Sequence, residues 1–340
     1  MKSIKTGILG LGRIGKIHLQ NLMHKIPQAE LIAAVNPSEA GKAYAKKFNV
    51  PIVSSDSDVI FENPDIEAVI ICSPNDTHAA YVERAAKAGK AIFCEKPLDL
   101  SLEKVKSLLK ITENYGVPLM VAFNQRFDVN FSKIKSLVAE GKLGDLRSIN
   151  ITSRDPAPPP IPYIKSSGGL FLDMTIHDFD MARYIANSEV MEVFARGYNL
   201  VDPEIGETGD IDTGFVMLTF ENRATAMIEN CRQSAYGYDQ RLEVFGSKGM
   251  TQANNIYKDT HQFLDVAGVH GSRPLDFFMD RYLDSYLNEM NAFIGALSKN
   301  EAPPVTGLDG LKATAIALAA NKSMKENRPV AMTDILDGLG

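Results

Sequence analysis

Apolar and polar positions follow two regimes along the chain, and they change near residue 123. In the first regime, unbroken apolar runs alternate with stretches whose apolar residues recur every three or four positions. Ile4–Leu9, Leu31–Val35, Glu67–Cys72, Ala91–Cys94 and Leu119–Phe123 read as strands buried on both faces. Between them, Ile17–Met23, Ala40–Phe48, Val59–Phe61, a stretch ending at Ala88, and Ser101–Tyr115 read as helices. Strand–helix alternation of this kind predicts a doubly wound parallel sheet, whose ligands bind beyond the carboxyl ends of the strands.

In the second regime, Leu146–Ser153, Val190–Asn199, Ile211–Phe220, Ala224–Cys231, Gln240–Phe245 and Met250–Ala253 read as strands, several joined by short turns. Short spacing without intervening helices predicts antiparallel hairpins in one large open sheet with helices on one face. Phe215, Met217, Leu218, Ala226 and Ile228 are expected on the other face. That face should be buried against a second subunit, so a homo-oligomer is expected. Segment 202–210 reads as a surface loop, and Leu275–Ser298 and Leu308–Glu326 as closing helices. The expected fold class is α/β, in two domains: residues 1–123, and an α+β substrate and oligomerisation domain at 124–340.

The first strand runs into Gly10-Leu11-Gly12-Arg13-Ile14-Gly15 and then into a helix. G-x-G-x-x-G between a strand and a helix is the dinucleotide fingerprint of a Rossmann domain. The glycines allow a tight turn, close approach to a pyrophosphate and close helix–strand packing, and the helix N-terminus offers N–H groups to the anion. The second strand ends at Asn36, where a carboxylate for the ribose diol is usual. Asn can hydrogen-bond a hydroxyl and does not repel a 2′-phosphate; no Arg follows directly, although Arg13 and Lys42 could reach. The balance favours NAD over NADP. Asn36 also reads as a plain turn residue before Pro37.

Two more strand ends share this rim. One leads into Ser73-Pro74-Asn75-Asp76-Thr77-His78, and the other into Glu95-Lys96-Pro97. Lys96 reads equally as a solvated lysine or as a catalytic one whose backbone is set by the X-Pro bond. Further on, Gly168-Gly169 opens a helix expected from Leu170 onward. Asp173 and His177 lie four apart on it, about 40° around the axis, on one face. A carboxylate one turn before an imidazole can fix its tautomer and leave the other nitrogen as a base. A solvated surface helix is the plainer reading. The proline run Pro156–Pro162 reads as a stiff segment at the rim of a pocket.

Composition narrows the classes. Lys and Arg number 36 against 42 Asp and Glu, a net charge of −6. No basic patch suits nucleic acid or a membrane surface. No apolar run approaches a membrane span, and the N-terminus lacks a signal core, so a cytoplasmic protein is expected. Cys72, Cys94 and Cys231 are scattered in apolar runs without metal spacing; reduced cysteines and no metal site are expected.

The glycine motif, Glu95-Lys96-Pro97 and Gly168-Gly169…Asp173-x-x-x-His177 together resemble the glucose–fructose oxidoreductase/inositol dehydrogenase family of NAD(P)-dependent enzymes. The resemblance covers essentially the whole chain. Ser153–Pro160, Ser167–Arg183 and Tyr236–Gly249 are narrower and resemble its inositol 2-dehydrogenase branch. The resemblance implies NAD as cofactor, hydride transfer from myo-inositol or a close isomer to give the inosose, and a tetramer. It places Lys96, Asp173 and His177 on catalytic positions. Gly10, Gly12, Arg13, Ile14, Gly15, Asn36, Ser73, Asn75, His78, Glu95 and Lys96 fall to the cofactor. Lys96, Arg126, Asp155, Asp173, His177 and Tyr236 or Tyr238 fall to the polyol. A dehydrogenase for another sugar or polyol is the alternative. A non-catalytic cofactor-sensing regulator is the more distant one, since it would be expected to lose Lys96 or His177.

Overall fold

Six parallel strands form the first sheet of the computed structural model, which describes residues 3–336. They are β1 (Ile4–Leu9), β2 (Ala29–Val35), β3 (Ile52–Ser54), β4 (Ala68–Ile71), β5 (Ala91–Glu95) and β6 (Leu119–Ala122), in the order β3-β2-β1-β4-β5-β6. Every residue of β4 is fully buried, as expected for a strand covered on both faces. Strand order reverses beside β1, so the loops after β1, β4 and β5 share one rim.

This sheet belongs to a unit made of the chain up to Phe127 together with Asp284–Lys312. A division at 123/124 misses that return. The reason is apolar contact: Phe293, on the helix Leu283–Lys299, packs against Phe93 of β5 with ring centroids 5.6 Å apart. Val305 O then accepts the Val121 N–H at 3.3 Å. The expected helix Leu275–Ser298 is broken, into Phe278–Arg281 and Leu283–Lys299.

The second unit comprises Asp128–Leu283 and the chain from Ala313 on. Its sheet contains β7 (Leu146–Arg154), β8 (Val190–Tyr198), β9 (Thr213–Phe220), β10 (Thr225–Cys231), β11 (Asp239–Gly246), β12 (Gly249–Ala253) and, after a separate hairpin of β13 (Gln262–Asp265) and β14 (Gly268–Gly271), β15 (Val330–Ala331). The order is β12-β11-β7-β10-β9-β8-β15, and all pairs are antiparallel except β7 with β10. That parallel pair lets the long β7 sit in the middle, remote in sequence from its neighbours.

Sheet alternation divides the apolar residues differently from the expectation. Leu218, Ala226 and Ile228 face the buried side with Ile149, Ile151 and Val244. The outer side instead exposes Met191, Phe215, Met227, Phe245 and Met250. Leu218 and Met217 are consecutive, so they point to opposite faces. The proline run also departs from a stiff extended segment: Ile161–Ser167 is a helix. Proline is tolerated in a first turn, where its missing N–H has no partner to lose. Within 202–210, Pro203–Glu207 forms one short helix capped by Asp202.

A polar network threads the core of this unit. Asp178 is 1% exposed. Ser153 Oγ donates to its Oδ1 at 2.7 Å and Asn230 Nδ2 to its Oδ2 at 2.6 Å. Thr175 Oγ1 donates to Asn230 Oδ1 at 2.8 Å. Burial pushes the Asp178 carboxyl up to about 7 against these two donors, with Asp155 adding to the rise. The folded protein therefore keeps a proton that the unfolded chain releases near pH ~4. Stability from this group is complete below ~4 and is lost as pH rises through about 7, a change of up to about 4 kcal/mol. Urea midpoints are expected to fall between pH 5 and 8 in the native protein and to fall less in Asp178→Asn. Parallel curves for the two proteins would contradict the buried neutral carboxyl.

Candidate active site

In the first unit, β1 ends in a loop that glycine alone can form. Gly10 has φ +89°, and a Cβ there would lie 2.5 Å from Cys72 O. A Cβ on Gly15 would lie 2.0 Å from Gly10 O, so the helix Arg13–His24 rests directly on the loop. Gly12 is different: a Cβ there meets nothing within 4 Å. It opens the helix with no side-chain cap and no acidic residue in the first turn. Open space at Gly12, with the positive potential of an uncapped helix start, fits a bound pyrophosphate. Arg13 is exposed and Ile14 half-buried at this helix start.

Asn36 is pinned at both ends of its amide. Its Oδ1 accepts the Leu11 N–H at 2.8 Å, and its Nδ2 donates to Ser38 Oγ at 2.8 Å. The side chain ties the end of β2 to the glycine loop, and only 9% of the residue is exposed. Lys42 is engaged with Glu39 at 2.6 Å.

At the next strand ends, Ser73 Oγ lies 2.6 Å from Thr77 Oγ1, and Asn75 starts the helix Asn75–Lys87. His78 is fully buried, which leaves it no surface for a cofactor. Its Nδ1 lies 2.8 Å from Pro97 O and its Nε2 2.9 Å from Ser73 O. It joins the turn after β4 to the turn after β5. The Lys96-Pro97 bond is cis, and Lys96 is half-buried. Glu95 turns inward: its Oε1 lies 3.3 Å from His18 Nε2. Arg126 also lies in this unit, 8% exposed, with Nη2 donating to Asp309 Oδ1 at 2.9 Å.

Beneath the loop, His18, Cys72 and Glu95 bring their ligand atoms within 4.8 Å of one another, a juxtaposition that the scattered cysteines gave no sign of. Glu289, fully buried, adds a carboxylate oxygen 3.6 Å from His18 Nε2. Burial, and then the nearby Glu95, holds both the Cys72 thiol and the Glu289 carboxyl well above their usual ranges. Neither Glu289 oxygen has a hydrogen-bond partner among the described residues.

In the second unit, Gly168 and Gly169 take φ +89° and +86° and turn the chain into a helix at Leu170, as expected. The helix does not continue through both residues of interest. It covers Leu170–Asp173, and a second runs Ile176–Ala186. Met174 and Thr175 keep right-handed backbone, and the His177 N–H reaches Met174 O at 3.4 Å, a tighter three-residue step. At this break Thr175 turns its hydroxyl to Asn230 and Leu170 O. Asp173 and His177 remain about one turn apart, but on two helices.

Both carboxylate oxygens of Asp173 are held. Tyr163 OH donates to Oδ1 at 2.8 Å, and Arg232 Nη1 to Oδ2 at 3.2 Å. Asp173 is 8% exposed, and His177 is half-buried. Asp155 follows β7, its N–H bonded to Cys231 O at 2.9 Å. Tyr236 is exposed and accepts from Arg154 Nη1, while its OH donates to Asp239 Oδ2. Tyr238 is 8% exposed and packs edge-on against Tyr282. Tyr163 and Arg232 escaped the sequence reading. Tyr163 directly follows the proline run Pro156–Pro162 read as a pocket rim; Arg232 carried no signal.

The family profile described as "Oxidoreductase family, NAD-binding Rossmann fold" matches residues 4–123, and that of the "GFO/IDH/MocA C-terminal domain" matches residues 131–252. The chain is 47% identical to the myo-inositol 2-dehydrogenase of Thermotoga maritima, over 98% of this chain and 100% of the relative. It is 42% identical to the inositol 2-dehydrogenase of Rhizobium meliloti, over 97% and 99% of the two chains. The crystal structure of scyllo-inositol dehydrogenase from Lactobacillus casei with bound NAD(H) and scyllo-inositol superposes with a TM-score of 0.91 at 35% identity, covering 98% of this chain and 100% of the other. With a parallel NAD-binding sheet in one unit and a mixed seven-stranded sheet in the other, the chain belongs to the GFO/IDH/MocA oxidoreductase family.

Proposed function

We propose that the protein oxidises myo-inositol, or a close inositol isomer, to the corresponding inosose with NAD. One observation carries the reading: a carboxylate held at both oxygens, Asp173, stands one turn before His177, in a chain whose first unit has the NAD-binding fold. That is the arrangement of an oriented general base.

His177 takes the proton of the substrate hydroxyl at one ring nitrogen. Asp173 accepts from the other and stabilises the imidazolium that forms. Lys96 donates a hydrogen bond to the reacting oxygen and holds its developing charge as the C–O bond becomes a carbonyl. When bound, NAD would supply the acceptor for the hydride leaving the same carbon. Gly10, Gly12, Arg13, Ile14 and Gly15 hold its pyrophosphate, with Asn36, Ser73 and Asn75 at the adjacent strand ends. His78 and Glu95 act one layer below, keeping the turns at Ser73 and Lys96 in place. Arg126, Asp155 and Tyr236 hydrogen-bond the remaining polyol hydroxyls, with Tyr238 packed behind.

Among the described residues no helix is long and apolar enough to cross a membrane. The protein works in the cytoplasm on a small-molecule polyol, and it assembles as a homotetramer through the outer face of the second sheet. Exposed Met191, Phe215, Met227, Phe245 and Met250 support that face as the contact.

With NAD and myo-inositol at mildly alkaline pH, the purified protein is expected to raise NADH absorbance, and to do so less with NADP. Silence across a panel of inositol isomers and sugars would overturn the reading. His177→Gln is expected to lower kcat by about 10²–10⁴-fold; near-normal turnover would remove His177 as the base. A charge on the outer sheet face, Met227→Glu, is expected to give a smaller species in sedimentation than the native protein. An unchanged sedimentation coefficient would place the contact elsewhere.

A further inference from the structure

We infer that Arg232 is a positioning residue for this reaction: it fixes the carboxylate of Asp173, and Asp210 fixes Arg232. The inference rests on the dehydrogenase reading above and deepens it. Arg232 follows directly after β10, its backbone N–H bonded to Asp212 O at 2.8 Å. The side chain is 1% exposed and is among the largest fully buried side chains of the protein. Its Nη1 donates to Asp173 Oδ2 at 3.2 Å, and its Nη2 lies 3.7 Å from Asp210 Oδ2. Among the described residues neither Nε nor Nη2 makes a hydrogen bond, and Asp210 Oδ2 accepts none, so Asp210 acts on the guanidinium by charge at 3.7 Å. The guanidinium thus faces two carboxylates, and one of them, Asp173, is the residue proposed above to orient His177.

Asp210 connects this clamp to the backbone. Its Oδ1 accepts the Leu170 N–H at 2.9 Å, the first N–H of the helix that carries Asp173. The same oxygen lies 2.7 Å from where a Cβ on residue 169 would stand, so Gly169 admits the carboxylate both by its size and by its positive φ. One acidic group therefore holds the start of the helix and, through Arg232, the carboxylate at its end. Tyr163 takes the remaining oxygen of Asp173. With both oxygens engaged from opposite partners, rotation of the carboxylate is blocked.

Lysine cannot serve in place of this arginine. It is a point charge without the planar fork that spans two acceptors. Arg232→Lys is expected to lower kcat about 10–10²-fold, the cost of a misplaced catalytic group, while the Kd for NADH, read by its fluorescence, stays within about twofold. If Arg232 acts through Asp173, the two losses do not add: in an Asp173→Asn background, Arg232→Lys changes kcat less than about threefold. Additive losses would overturn the inference. A second readout is independent of turnover. In protein labelled with ¹³C-histidine, the His177 ring resonance, assigned by its loss in His177→Gln, is expected to move in Arg232→Lys toward its position in Asp173→Asn. A resonance that stays in place would also overturn it. Should Arg232→Lys fail to fold, Asp210→Asn is held to the same two tests, with non-additivity against Asp173→Asn and a shifted His177 resonance expected, and their absence decisive. A native protein that oxidises no polyol would remove the dehydrogenase reading, and the resonance would still decide whether Arg232 governs the surroundings of His177.

Discussion

A Cβ on residue 15 would stand 2.0 Å from the carbonyl oxygen of Gly10. Everything on the nucleotide side of the protein depends on that contact. It seats the helix Arg13–His24 on the end of β1, so that the first turn of N–H groups opens above the sheet rim. It also brings His18, one turn along, over β5, where Phe93 meets its ring edge-on and Glu95 meets its Nε2. The position of Glu95 in turn precedes Lys96, and His78 ties the following proline back to Ser73. Close backbone packing at two glycines thus reaches a lysine more than eighty residues away through short polar contacts.

The second unit is organised around buried polar groups rather than buried backbone. Asp178 sits in its core with two side-chain donors, and burial wins over both. Arg232 is buried with two acidic partners instead of being replaced by an apolar residue. Such arrangements cost desolvation and contribute little net stability. What they supply is direction: Asn230 accepts from Thr175 at the helix break, and Arg232 donates to Asp173 just before it. At the break the Thr175 hydroxyl lies within hydrogen-bond distance of Asn230 Oδ1 and Leu170 O.

Much of the fold was legible in the chain. Continuous apolar runs fixed the parallel strands, since a strand covered on both faces has no polar side. The glycine spacing located the nucleotide loop, since few other sequences let backbone approach backbone so closely. Gly168 and Gly169 marked the start of the helix at Leu170 because both need positive φ. Short-range signals of this kind survive in sequence because they are set by neighbours along the chain. The strand β3 and the edge strand β15 escaped because three and two residues carry too little periodicity.

What only the tertiary structure decided is which distant residues meet. The return of Asp284–Lys312 to the first unit followed from Phe293 finding Phe93. The parallel pairing of β7 with β10 brought together strands more than seventy positions apart. Arg232 reached Asp173 across 59 positions, and Asp210 reached Leu170 across 40. Periodicity reports which face of an element is buried, because that depends on local spacing. It holds no information on which charged side chain will share that burial, because the partner is chosen by how the elements pack.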